Sequence, residues 1–178
     1  MKKFIQTVKN IWSIDELRKR ILYTITLVLI YRIGCYIALP GINPSKLSDA
    51  NGPGGLLGIL NMFAGGAFSR ASIFALGVMP YISASIFMQL AGIVIPQVAK
   101  MQKEDSGRKK INMYTRYLTV LVTAFQASAY VAYLRSPSYL PALAPDYSPF
   151  MFWLSTIVVL TAGTLFVMWM GEKITDRG

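Results

Sequence analysis

LGILNMFAGGAFSR (57–70) runs without a break into ASIFALGVMPYISASIFMQLAGIVI (71–95), and the contrast between these two stretches decides the fold. A helix that crosses a bilayer needs roughly 20 apolar residues, whereas a run of about 10 to 14 is more often buried or re-entrant. The second stretch is long enough to cross and the first is not. Gly65 and Gly66 stand where a half-helix would turn back, and irregular backbone at membrane depth survives only inside protein or beside a water-filled cavity. The pattern predicts a stopper at about 57–70 lying in a pore, followed by a spanning helix over 72–95.

Working outward, three more segments are long and apolar enough to cross: 21–39, 117–134 and 150–170. Hydrophobic residues make up 54% of the 178 and the mean hydropathy is +0.46, both too apolar for an ordinary soluble domain. The prediction is an all-α integral membrane protein with about four spanning helices plus a re-entrant half-helix. No small-residue cleavage site follows the 21–39 run, so that run stays as a membrane helix.

Composition excludes several chemistries. With no His, the chain offers no His-based zinc site, Ser-His dyad or imidazole relay. The single Cys35 lies in the first apolar run and reads as a packed thiol. All eight Asp and Glu fall outside the four runs. Catalysis, cofactor binding and proton coupling are not expected.

The net charge of +10 could point to nucleic acid, but its placement points to a membrane instead. Six Lys or Arg fall in 1–20 and six in 96–116, while 40–56 holds only Lys46 and 135–149 only Arg135. Basic residues gather on the cytoplasmic side. The segment 1–20 and the loop 96–116 are therefore expected in the cytoplasm, with the Pro- and Gly-rich connections outside. Anionic headgroups attract such residues by roughly 1 kcal/mol each, which is the plainer explanation; docking of a cytoplasmic partner on Lys103, Arg108, Lys109 and Lys110 is the sharper one. KEDSGRKKI interleaves acids and bases around Gly107 and predicts a turn there. Phe4, Ile5, Val8, Ile11 and Trp12 share one helical face opposite Lys2, Lys9 and Asn10, as in an interfacial helix. Ser13 and Glu16 form an S-x-x-E capping box that starts the next helix.

Within the runs, Arg32 is costly unless it is buried against partners or reaches water, and a structural anchor is favoured over a transport role. Pro80 predicts a bend in the 72–95 helix. Ser83, Ser85 and Gln89 read as polar groups of helix packing. Ile82 and Ile86, four apart, share one face; their default reading is contact with lipid or core.

NMFAGGAFSRASIFALGVMPYISASIFMQL, with YRIGCYIALPGI upstream, KEDSGRKKINMYTRY in the loop and MWMGEKITDRG beyond, resembles the bacterial SecY family, the large subunits of the Sec translocon. The resemblance covers nearly the whole chain and extends over the amino-terminal half of the family, whose members have ten membrane helices in two pseudo-symmetric halves. It implies a protein-conducting channel in the bacterial inner membrane, closed by a plug and by a ring of aliphatic side chains. Carried over by motif, the plug core is Asn61, Met62, Phe63, Ala64, Gly65 and Gly66, and the ring residues of this helix are Ile82 and Ile86. Implied partners are the SecE and SecG subunits, the SecA motor ATPase and the ribosome, together with signal sequences, nascent polypeptides and membrane lipids. No nucleotide-binding G-x-x-x-x-G-K-[ST] occurs, so the driving force would come from such a partner. The loop reads KEDSGRKK where many relatives have EGESGRRK, and the outer connections support no carry-over. The runner-up is half of a secondary transporter with a broken helix, which an intramembrane carboxylate would favour; an intramembrane enzyme ranks third.

Overall fold

The computed structural model describes residues 12–47, 56–136, 143 and 148–178. The described residues form seven helices: α1 (Asp15–Gly34), α2 (Pro44–Leu47), α3 (Leu56–Phe63), α4 (Met79–Val94), α5 (Pro96–Lys103), α6 (Asp105–Leu134) and α7 (Pro149–Arg177). β-structure among them is limited to two isolated bridges, Ala38 with Ser72 and Ile42 with Leu143.

The centre of the bundle is α6, which packs on α4, α5 and α7, while α1 packs on α7. The buried stripe of α6 carries Thr115, Thr119, Thr123 and Ala127 at intervals of four. Each threonine hydroxyl donates to the carbonyl four residues earlier, at 2.9, 2.7 and 2.6 Å, so these polar groups need no partner across the seam. The buried stripe of α7 includes Thr156, Leu160, Gly163, Thr164 and Val167. Thr156, Gly163 and Thr164 among these are small enough to let membrane helices approach closely. Gly163 goes furthest: a Cβ there would overlap the backbone carbonyl of Ile73, so the irregular chain before α4 lies directly on α7.

Helix bounds differ from the apolar runs in physically informative ways. The first run, 21–39, becomes a helix over 15–34 with Cys35 at its C-cap, and beyond it Ile37 and Leu39 pair with Ile73 and Ala71. Above Arg20 the helix is about 21 Å long at 1.5 Å per residue. The N-cap is Ile14, not Ser13, and instead of a capping box Glu16 pairs with Arg20 at 3.0 Å and Asp15 with Arg18 at 2.7 Å. The second run yields a helix only from Met79, so Pro80 stands in the first turn, where a missing N–H disrupts nothing. The bend falls elsewhere: α4 and α5 meet at 108° across Ile95, which is extended (φ −105°, ψ 109°), as the residue before Pro96 prefers. The 96–116 segment is helical rather than a loop, broken only at Glu104. Gly107, expected as the turn, is helical and lies where a Cβ would overlap the backbone of Met101.

Among the described residues two helices, Ser106–Leu134 and Pro149–Arg177, are long and apolar enough to cross a membrane, or three crossings if the bent pair is one span. By this length-and-composition measure α1 does not count, because its helix takes in five charged residues at its start (Asp15, Glu16, Arg18, Lys19 and Arg20) and stops short of the apolar 35–39. Residues 1–11 of the predicted interfacial helix lie outside the described residues, as do 48–55, 137–142 and 144–147 of the outer connections.

One end of the bundle gathers the basic runs. Arg20 Nη1 donates to the Gly178 carbonyl at 3.4 Å, and Arg116 forms a two-pronged bond to Glu172 at 3.1 and 2.7 Å, so the start of α1, the first turns of α6 and the end of α7 lie together. The opposite end holds the two bridges and a core around Leu39, Leu47, Ala71 and Val131.

Candidate functional site

The eight residues of α3 end at Phe63, and the chain then reverses through Gly65 (φ 62°) and Gly66 (φ 85°). Both angles lie in the left-handed region where a side chain is strained and glycine is not. The reversal is closed by its own backbone: Gly65 N–H donates to Met62 O at 3.1 Å and Gly66 N–H to Asn61 O at 2.9 Å. The Asn61 side chain accepts from Ser69 N–H at 3.1 Å, so one asparagine caps two strands of the turn. From outside, Tyr31 Oη donates to Ala64 O and Arg32 Nη1 to Gly65 O, each at 3.2 Å. Arg70 lies 4.3 Å over the Tyr36 ring, and Tyr130 Oη donates to Phe68 O at 2.7 Å.

The six residues read as a plug core are therefore brought together, with contrasting exposure. Ala64 is buried and Gly65 and Gly66 are half-buried, while Met62 is 83% exposed. Phe63 is described through its backbone alone.

Two cavities flank the start of α4. An apolar one of about 360 Å³ is lined by Ala64 and Phe68 of the turn with Met79, Gln126 and Tyr130. A polar one of about 550 Å³ is lined by Tyr81 and Ile82 of α4 with Thr115, Arg116 and Glu172. The first turn of α4 thus contributes to both, Met79 to the first and Ile82 to the second. Ile82 is 43% exposed and Ile86 51% exposed, so neither is packed in the core of this chain. The buried face of α4 is instead Pro80, Ala84 and Gly92. Ser83 donates to Met79 O at 3.0 Å and Gln89 to Ser85 Oγ at 3.4 Å, satisfying these polar groups within the helix.

Lys103, Arg108, Lys109 and Lys110 are all exposed around the α5–α6 junction. Arg108 also has a structural task, since its Nε donates to Gln102 O at 3.1 Å across that junction. Sequence reading missed the Arg116–Glu172 pair and the Tyr31 contact. The first joins residues 56 positions apart, and nothing in a single chain marks such a pair. The turn side of the second was legible in Gly65 and Gly66.

A hydrophobic helical bundle with a short helix turned back on left-handed glycines beside an aliphatic helix face defines an all-α membrane protein. The SecY family model matches residues 72–178, and the chain belongs to the SecY family. It is 45% identical to Protein translocase subunit SecY of Streptomyces scabiei over 174 residues, covering 92% of this chain and 40% of that protein. It is 45% identical to the Haemophilus influenzae protein of the same name over 166 residues (92% and 37%) and 44% identical to that of Escherichia coli K12 over 169 residues (93% and 38%). The chain thus spans about two fifths of the length of these relatives.

Proposed function

We propose that this chain forms the amino-terminal half of a protein-conducting channel subunit in the bacterial cytoplasmic membrane, which passes unfolded polypeptides across and releases membrane segments sideways into the lipid. The observation that carries the reading is α3 folded back through Gly65 and Gly66 beside the start of α4, whose exposed face carries Ile82 and Ile86. In this role α3 and its turn are the plug, and the two isoleucines are this half's share of the aliphatic ring. Branched aliphatic side chains offer water and ions no hydrogen bonds, so a narrow ring of them holds the barrier by dewetting while accepting any sequence. The rest of the ring belongs to helices of the other half. The chain acts as a conduit, not an enzyme. In this reading work is supplied by a ribosome or the SecA ATPase, a contact that the exposure of Lys103, Lys109 and Lys110 supports, and SecE and SecG complete the assembly. The transporter alternative lacks its carboxylate, since every Asp and Glu lies outside the four apolar runs.

In the full-length complex with Cys35 replaced by Ala, a cysteine at Ile82 should form a disulfide with a cysteine in a stalled secretory polypeptide, while one at Phe125, 77% exposed on α6, should not. Equal crosslinking at the two positions, or none at 82, would remove the conduit.

The clustering of basic residues at one bundle end supports an orientation with Lys103 and Lys109 in the cytoplasm and Lys46 and Arg135 outside. In intact cells an impermeant thiol reagent should label cysteine at 46 or 135 and spare 103 and 109; labelling at 109 reverses the arrangement.

A further inference from the structure

Tyr31 and Arg32 are consecutive residues in the last turn of α1, and the carbonyls they bind, those of Ala64 and Gly65, are consecutive too. The donors stand on fixed ground. Tyr31 stacks on Phe74 at 5.6 Å and 7°, and Phe74 stacks on Phe166 of α7 at 6.0 Å and 14°. Gly34, three residues beyond Tyr31, lies so close to the Phe74 ring that a Cβ would overlap it. The acceptors stand on the part that must move. The direction of a carbonyl is set by the ψ of its own residue and the φ of the next, so a swing of α3 about Gly65 and Gly66 turns these carbonyls away from their donors.

Arg32 is a second, independent pointer. A guanidinium within an apolar run is expensive unless it finds partners or water; Arg32 is exposed, and among the described residues none of the ion pairs includes it. Its hydrogen bond goes to the carbonyl of the most mobile kind of residue, at the start of the reversal. A charged donor makes the stronger type of hydrogen bond to that oxygen.

We infer that Tyr31 and Arg32 form a latch on the plug: two side chains of the first membrane helix that hold the closed state by gripping the hinge rather than the plug tip. This rests on the channel reading above. The latch makes α1 a regulator of opening, because a rotation of its last turn withdraws both donors together, and an incoming apolar segment that displaces α1 would release the plug without touching it.

The test is planar-bilayer conductance of the full-length complex, with thermal stability measured in parallel. Tyr31→Phe keeps the ring and its stacking and deletes only the hydroxyl; Arg32→Met keeps length and removes the donor. Each should raise the open fraction about tenfold, a factor equivalent to about 1.4 kcal/mol and within the range of one hydrogen bond's net contribution. The double variant should leak more than either. Arg32→Lys, which retains a charged donor, should stay within about twofold of the parent. The latch is overturned if Tyr31→Phe and Arg32→Met both match the parent while Gly65→Val leaks; the plug reading then survives. If Gly65→Val is also silent, the plug reading falls and the latch with it. Loss of thermal stability by Arg32→Met without leakage also overturns the latch, and should that variant fail to assemble, Tyr31→Phe decides alone.

Discussion

Full-length channels carrying Ile82→Ser or Ile86→Ser should leak ions and yet unfold almost as the parent does. The two side chains are about half exposed in this chain, so truncating either removes little packing and should cost less than about 1 kcal/mol. What changes is the constriction, where a hydroxyl and a smaller volume admit water that branched aliphatics exclude. Ile73 is the internal control. It is half-buried against the core that contains Phe74 and Val167, and Ile73→Ser should cost roughly 2–4 kcal/mol and open no conductance. Conductance and thermal unfolding of the three variants separate the roles. Destabilisation without leakage at 82 and 86 would assign those residues to packing and dissolve the ring.

An effect of similar size is expected at the hinge. A β-branched residue at a left-handed position is strained by about 2 kcal/mol, a factor of about thirty in the closed population. Gly65→Val also places its Cβ 3.1 Å from Arg32 Nη1, whereas at Gly66 the nearest atoms, in Arg70, are 3.9 Å away. Both valine variants should therefore leak and accept defective signal sequences, with Gly65→Val the more severe. Unchanged ion leakage and unchanged signal stringency in both would mean that 57–70 is no stopper.

Much of this was legible in sequence, for identifiable reasons. Length and hydropathy separated the short run from the long ones, and a glycine pair between them has few uses other than a reversal. Pro80 misled because the helix was read as starting at 72. The chain from Ala71 to Val78 is instead irregular, with left-handed residues at Ala71 and Gly77, so Pro80 begins a helix rather than bending one. The bend before Pro96 obeyed a local rule that applies equally to both prolines, and only the position of the helix start distinguishes them. In the 96–116 segment, polar composition read as loop because helix α5 and the first turns of α6 are stabilised by packing on each other and on α4, which periodicity alone does not reveal. The contacts of Tyr31 and Arg32 depend on which turn of α1 faces Ala64, a tertiary fact.

Ala71 carries a last consequence. It is the one non-glycine with positive φ among the described residues, at 45°, and its carbonyl accepts from Leu39 N–H at 2.8 Å while Ile73 N–H donates to Ile37 O at 3.0 Å. The chain beyond the reversal is thus nailed to the wall, like a door frame whose hinge pins are the two glycines. The door is α3, eight residues and so about 12 Å long. A quarter-turn about one end carries the other through about 17 Å, wider than the roughly 10–12 Å girth of an α-helix with its side chains. In the proposed channel, an aperture that admits a helical segment would be cleared by rotating a few backbone angles, with the Leu39–Ala71 and Ile37–Ile73 bonds left in place and the Tyr31 and Arg32 bonds to the turn given up.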